Sequence, residues 1–266
     1  MKRRSLFLFS AVLLFGACKD KADKPEWLPD VTTKDLGSMK EREFRGNFDE
    51  IEVSQSIEAE IVKADQEKVV ISAPTDLIDE ILVEMDGDKV YIHYKRGIRI
   101  MNNAKVKATI YAKDFDKIKA NSAASITLKD KFTQDKTDVD LSSGSSFSGN
   151  FEANDIEIDL SSSSSFEGKI WSNDLKIDAS SGSSLDIKGK SKKADVVLSS
   201  GSSLSGKDVD VRELKANASS GSSLEMSVSE KLTATSSSGA SITAYKTGKS
   251  VSVQKEESSG GSVNVE

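Results

Sequence analysis

The sequence predicts an all-β fold, a parallel β-helix built from coils of about 19 residues. Three observations carry that reading. A short phrase recurs at near-constant spacing, each repeat alternates apolar and polar residues with period two, and equivalent apolar positions align into columns.

The phrase is Ser-Ser-Gly-Ser-Ser closed by an apolar residue. Its closing residues are Ile126, Phe147, Phe166, Leu185, Leu204, Leu224, Ile242 and Val263, with successive differences of 21, 19, 19, 19, 20, 18 and 21. One solenoid rung per copy accounts for such a period. Within the unit, Asp155-Ile156-Glu157-Ile158-Asp159-Leu160 alternates strictly, and Asp174-Leu175-Lys176-Ile177-Asp178-Ala179 repeats the pattern one period later. Period two means a strand with one buried face. Beyond the closing residue each unit meets a second turn, as at Trp171-Ser172-Asn173-Asp174, with Asp155, Asp174 and Asp195 read as turn formers ahead of strands. No stretch between repeats carries a helical apolar face, which excludes leucine-rich and ankyrin-type units.

Stacked coils require columns. Ile118, Val139, Ile158, Ile177, Val196 and Ala216 form one; Ile156, Leu175, Ala194, Leu214 and Leu232 form a second; the closing residues form the third. At about 4.8 Å per coil the stack makes a prism roughly 40 Å long. Where a coil turns sharply against its neighbours, side chains must be small, and a serine hydroxyl can satisfy turn backbone or a neighbouring serine. Gly144, Gly182, Gly201, Gly221, Gly239 and Gly260 occupy the centre of this corner, while Ser163 and Ala123 stand at the same place in two copies. Smallness is therefore the expected requirement there, and a left-handed backbone only an option.

In chain order, residues 1–17 are the first element. Lys2-Arg3-Arg4, an apolar run from Leu6 to Phe15, and Gly16-Ala17 before Cys18 make a secretory signal too short for an ordinary membrane span. The small-small-Cys ending resembles the bacterial lipobox, which implies cleavage before Cys18 and lipid attachment to its sulfur. Phe15 departs from the commoner leucine of that motif. Cys18 is the only cysteine, so no disulfide forms within one chain. Residues 18–40 are charged, contain Pro25 and Pro29, and read as a lipidated tether on which Trp27 and Leu28 are incidental. Residues 41–266 form the β-helix domain, with irregular capping coils over 41–115 and regular Ser/Gly-cornered coils over 116–266. In the capping part Asp49 to Val53, Ile57 to Val62, Val69 to Ala73, Ile81 to Met85, Val90 to Tyr94 and Val106 to Tyr111 read as strands. Asp65-Gln66-Glu67 and Asp86-Gly87-Asp88 read as tight turns between them.

Composition narrows the function. Formal charge is −6 and becomes −9 once the basic leader is removed, with both signs interspersed and no basic patch, so nucleic acid is excluded as a partner. The sole histidine, His93, lies on a strand pointing with Tyr91 and opposite Ile92 and Tyr94, with no cysteine or second histidine nearby; histidine triads and zinc sites are excluded. No serine stands in a Gly-x-Ser-x-Gly elbow. Calcium stacking would need an aspartate in each turn where these corners hold serine. No cofactor or metal is expected.

Parallel β-helices also carry polysaccharide-acting enzymes, and outward pairs such as Glu157/Asp159 and Lys176/Asp178 are where one would be sought; a mixed column is also an ordinary solvated face. Only Phe147, Phe166 and Trp171 are large enough to stack on sugars, and the two phenylalanines are assigned to the core column.

Phe44-Arg45-Gly46-Asn47-Phe48-Asp49-Glu50-Ile51-Glu52-Val53, the Asp86-Gly87 turn, Ala120-Asn121-Ser122-Ala123-Ala124-Ser125-Ile126 and the Ser-Gly-Ser coils together resemble the head GIN domain family of auto-transporter adhesins. The resemblance covers roughly Phe44 to Glu266, with Ala123-Ala124 where the family favours glycine. It implies a right-handed parallel β-helix, export and a place in the bacterial cell envelope, and brings no catalytic or binding residue with it. The expected protein is a non-enzymatic module, lipid-anchored through Cys18, most simply at the outer membrane, with a protein or glycan ligand and solenoid edges at which a second copy could pair. The alternatives are a polysaccharide-acting enzyme and a structural envelope protein without a specific ligand.

Overall fold

The computed structural model describes residues 36–97 and 106–266. The leader, Cys18, Trp27 and Leu28 lie outside the described residues. The strands are β1 (Met39–Arg45), β2 (Glu50–Val53), β3 (Glu58–Lys63), β4 (Lys68–Pro74), β5 (Ile81–Asp86), β6 (Lys89–Tyr94), β7 (Lys107–Ala112), β8 (Lys117–Ala120) and β9 (Ser125–Leu128). They continue as β10 (Phe132–Leu141), β11 (Ser146–Leu160), β12 (Ser165–Ala179), β13 (Ser184–Leu198), β14 (Ser203–Ala218), β15 (Ser223–Ser236), β16 (Ser241–Lys246), β17 (Ser252–Glu257) and β18 (Ser262–Val265). No α-helix occurs among the described residues; a short 3-10 turn, Ile78–Glu80, precedes β5. The coils stack into a β-solenoid of about 8 turns.

The three predicted columns are the observed register. Ile118, Val139, Ile158, Ile177, Val196 and Ala216 face one another on successive parallel strands. Ile156, Leu175, Ala194, Leu214 and Leu232 do the same, and the closing residues run unbroken from Ile126 to Val263. All are buried, as alternation requires when one face of every strand points inward. Phe147 and Phe166 stack at 5.0 Å, and Phe151 meets both edge-on, so the phenylalanines fill the core and leave the surface to Trp171.

The serine corner is a tight turn with two consecutive residues at positive φ. Ser143 and Gly144 have φ of 53° and 71°, and Ser145 N–H donates to the Ser142 carbonyl at 3.1 Å, the pattern of a type I′ turn. The six corner glycines lie between 70° and 78°, and Ser163 and Ala123 adopt 61° and 62°. A Cβ at Gly144, Gly201 or Gly221 would meet nothing within 4 Å. Space is thus open and the left-handed backbone is the constant, the reverse of the order expected from residue size. Stacking enforces it: Gly144 N–H donates to the Ser162 carbonyl, Ser163 to Ser181 and Gly182 to Ser200, at 2.9 to 3.0 Å. A serine that adopts αL keeps these bonds at a modest conformational cost.

In five of the eight corners one serine is inside, with Ala124, Ala240 and Gly261 at the same place in the others. Ser145 Oγ donates to the Ala120 carbonyl at 2.8 Å and accepts from Ser142 N–H at 3.0 Å. Ser164, Ser202 and Ser222 repeat the donation to Leu141, Ala179 and Leu198. Ser183 Oγ is buried without a partner.

The expected second turn is absent as a break. Trp171-Ser172-Asn173-Asp174 lies inside the continuous strand β12, and Asp155, Asp174 and Asp195 lie inside strands with their side chains outward. In a stacked coil the ladder bonds go to the coils on either side, so a strand can bend without losing them. Asparagines support the bend: Asn173 Nδ2 donates to Asn154 Oδ1 at 2.7 Å, and Asn154 Nδ2 to Asp135 Oδ1 at 3.1 Å.

At the N-terminal end sequence order and spatial order part. β2 lies between β6 and β8, and β3 between β7 and β9, all parallel. The rung made first in sequence is therefore enclosed by two made later. β4 pairs antiparallel with β7, β1 with β4, and β5 with β6 across the Asp86-Gly87-Asp88 hairpin.

Candidate functional site

Outward side chains of the regular coils form two surfaces of different electrostatic character. On the strand segments before the serine corner, some in-register neighbours are opposite in sign and close into ion pairs, while Asp155 faces Asp174 and Asp159 faces Asp140 and Asp178. Lys176 Nζ lies 2.5 Å from Glu157 and Lys215 Nζ 2.8 Å from Asp195, one coil apart in each case. The groove over this face is lined by five lysines (Lys136, Lys176, Lys193, Lys215, Lys231) and five acids (Asp155, Glu157, Asp174, Asp195, Glu213), a self-neutralised checkerboard. The hydrogen bond from Lys176 holds the Glu157 carboxyl below its ordinary range. Burial, reinforced by Glu157, raises that of Asp159, which stacks between Asp140 and Asp178.

The segment after the serine corner is different. Asn150, Lys169 and Lys188 form one outward column, and Glu152, Trp171 and Lys190 form the next. Trp171 is 42% exposed. Its neighbours in these columns lie about 4.8 Å away between coils and about 6.6 Å away along the strand. Beneath them Phe151 and Ile170 are buried, so the Trp171 ring is carried outward by period-two alternation rather than by a loop. An open groove of about 760 Å3 runs over Trp171 and is lined by Lys131, Asn150, Glu152, Lys169, Lys188, Lys190 and Asp208. Its two acids are engaged: Glu152 pairs with Lys131 at 2.6 Å, and Asp208 stands 3.9 Å from Lys188. Among the described residues Lys169 and Lys190 make no ion pair.

The backbone shapes this groove. Gly189 has φ +122°, and a Cβ there would lie 1.9 Å from the Ile170 carbonyl oxygen, so only glycine fits. Register shifts occur between Asp186 and Gly189 on β13 against β14, and between Gly206 and Asp210 on β14 against β15. The first shift adds one residue to β14 and is the spacing of 20 between Leu204 and Leu224. Lys207 Nζ sits 4.2 Å from the Tyr245 ring centroid and steadies the bulge.

Other residues singled out in the sequence resolve simply. His93 stacks on Tyr91 at 4.1 Å, donates from Nδ1–H to the Tyr94 carbonyl at 2.8 Å, and has Glu84 3.4 Å from Nε2, a strand position within the cap. Burial pushes the adjacent Tyr94 hydroxyl up to about 12. Glu67, in the groove at the N-terminal end, accepts from Phe48 N–H at 3.0 Å and Lys113 N–H at 3.4 Å, a structural role. Among the described residues no group of three or more histidine, cysteine, aspartate or glutamate side chains is arranged to hold a metal ion. The lysines around Trp171 are not apparent in the sequence because they are dispersed over successive coils of an acidic chain; the signals are an outward tryptophan in the regular coils and the irregular spacing that follows it.

The solved structures similar to this chain share its fold. One from Parabacteroides merdae, described as a "putative adhesin", superposes with a TM-score of 0.81 at 14% identity, covering 86% of this chain and 97% of its own. A "putative adhesin" from Parabacteroides distasonis gives 0.79 at 17% identity, with 86% and 98% covered. A "putative lipid binding protein" from the same species gives 0.68 at 17%, with 86% and 97% covered. No curated protein matches the sequence. A family model described as "Putative auto-transporter adhesin, head GIN domain" matches residues 47–248, from the first enclosed rung through the bulged coils that shape the Trp171 groove, and the chain belongs to that family.

Proposed function

We propose that this protein is a non-enzymatic binding module of the bacterial cell envelope, exported by the signal at residues 1–17, anchored through lipid on Cys18 at the outer membrane, and engaging a protein or glycan partner. The observation that carries the reading is the contrast between the two surfaces: one carries lysines and acids in equal number, the other exposes a tryptophan in a groove where lysines outnumber acids and where Lys169 and Lys190 make no ion pair among the described residues. An exposed large aromatic within an open groove is the usual mark of a recognition surface. The adhesin description of the family agrees with it.

A polysaccharide-acting enzyme has one observation in its favour. Glu157 and Asp159 are outward neighbours whose carboxyls are pushed in opposite directions, as an acid and base pair would be. Asp159 lies outside the groove over that face, however, and Glu157 is held by Lys176.

The test has two parts. Cys18→Ala should move the full chain from the membrane fraction to the soluble fraction; retention in the membrane would reject the anchor. The soluble form, immobilised, should retain a specific partner from envelope fractions, and failure to retain any while the β-sheet circular dichroism signal is intact would reject the binding role.

A further inference from the structure

We infer that the groove over Trp171 binds an acidic glycan, with a sugar ring stacked on the indole and its carboxylate or sulfate held by Lys169 and Lys190. The inference rests on the binding-module reading and names its site and ligand chemistry.

Four features converge. The indole is 42% exposed on a strand whose inward neighbours are fully packed, so no local packing demand explains an apolar ring of that size pointing to water. Lys190 is its in-register neighbour on the next coil, and Lys169 precedes it by two residues on the same face, so both ammonium groups can reach over the ring's edges. Within this groove lysines outnumber acids by four to two and both acids are paired; Asp210, in register with Lys190 on the next coil, and Asp114, Asp116 and Asp135 in the groove on the other side of Trp171 confine the positive excess to the side of Lys169 and Lys188. A fixed local excess of positive charge on an acidic protein favours an anionic ligand. Finally, the bulges beside Gly189 and Asp208 break an otherwise regular register at this place, and bulges commonly re-aim side chains at binding sites.

A saccharide fits better than a bare anion. Aromatic faces reward stacking with an apolar ring face, and the same groove presents Asn150 and Glu152 to hydroxyl groups. The volume of about 760 Å3 suits a short oligosaccharide segment rather than a single ion. The checkerboard groove on the other surface lacks both the exposed ring and the charge excess, so the preference should be confined to one surface.

Calorimetric titration of the purified full-length chain with oligogalacturonate, and with the same oligomer fully methyl-esterified, tests this. Binding of the acid form, weakened about tenfold or more by esterification, by Trp171→Ala and by Lys169→Ala with Lys190→Ala, is the expected result. The double lysine variant should also flatten the salt dependence, whereas Trp171→Ala should leave it unchanged. Thermal melting checks that each variant stays folded. Equal affinity for both oligomers, or binding indifferent to all three substitutions, would overturn the inference. So would binding to vesicles containing phosphatidylglycerol in preference to the glycan. If envelope fractions still retain a partner while oligogalacturonate and heparin both fail to bind, this site assignment is lost and the binding-module reading survives; retention of nothing at all would remove both.

Discussion

Lys255 Nζ lies 3.2 Å from Glu257 Oε1, and the pair reaches across the last coil to Val263, whose carbonyl accepts from Lys255 at 3.1 Å and whose N–H donates to Glu257 at 2.8 Å. Both residues stand in columns that are small or apolar one coil earlier, at Ala234 and Ser236. The hydrogen bond from Val263 holds the Glu257 carboxyl below its usual range. Inward-placed charges at the end of a β stack discourage another sheet edge from docking.

Lys255→Val combined with Glu257→Val should therefore promote end-to-end association. Sedimentation velocity over a range of concentrations should show larger species in the double variant than in the parent chain. An unchanged size distribution would mean that the ion pair does not guard this edge.

The buried corner serines should respond unequally to alanine. Ser202→Ala removes a donor to the Ala179 carbonyl and an acceptor for Ser199 N–H, which should cost about 1 to 3 kcal/mol in urea unfolding. Ser183→Ala removes a hydroxyl that has no partner and should be neutral or mildly stabilising. Leu185→Ala, two residues further on in the closing column, should cost about 2 to 5 kcal/mol. Equal losses for the two serines would show that Ser183 finds a partner in solution.

Asp159 predicts a pH effect of definite sign. Burial, then repulsion from Glu157, raises its carboxyl in the folded chain, so the folded state holds the proton more tightly than the unfolded state does. Its ionised form is thus a destabilising feature, present above the raised pKa and relieved as pH falls through it. Asp159→Asn should stabilise the protein at pH 7 by about 0.2 to 1 kcal/mol, the scale of like charges opposed across strands, and the gain should shrink toward acid pH. A gain independent of pH would assign it to something other than charge.

Much of the fold was legible because stacking turns sequence arithmetic into space. A period near 19 with strict alternation assigns each apolar residue to a column, and Ile118 to Ala216 and Ile126 to Val263 fall where counting puts them. Trp171 was legible by elimination, since Phe147 and Phe166 occupy core positions. The corner conformation is not legible in residue size: Ser163 and Ala123 point to a steric limit, whereas the ladder of N–H groups imposes positive φ on whatever stands there. The smooth asparagine-supported bend resembles a turn in the sequence because Asn and Asp favour turns in isolated chains and serve equally well as side-chain ladders between coils.

The sequence by itself determined the coil, its period, its inward columns and the residues that turn it, because each is a local preference repeated in register. Tertiary structure alone decided which rung lies outermost, since β2 and β3 are enclosed by strands contributed much later in the chain. It also decided which charges remain free. Lys169 and Lys190 differ in no sequence property from Lys176 and Lys215; the neighbours one coil away, about 4.8 Å distant and some 19 residues removed, are Asn150 and Lys188 for Lys169, Trp171 and Asp210 for Lys190, and the ion-pairing carboxylates Glu157 and Asp195 for Lys176 and Lys215.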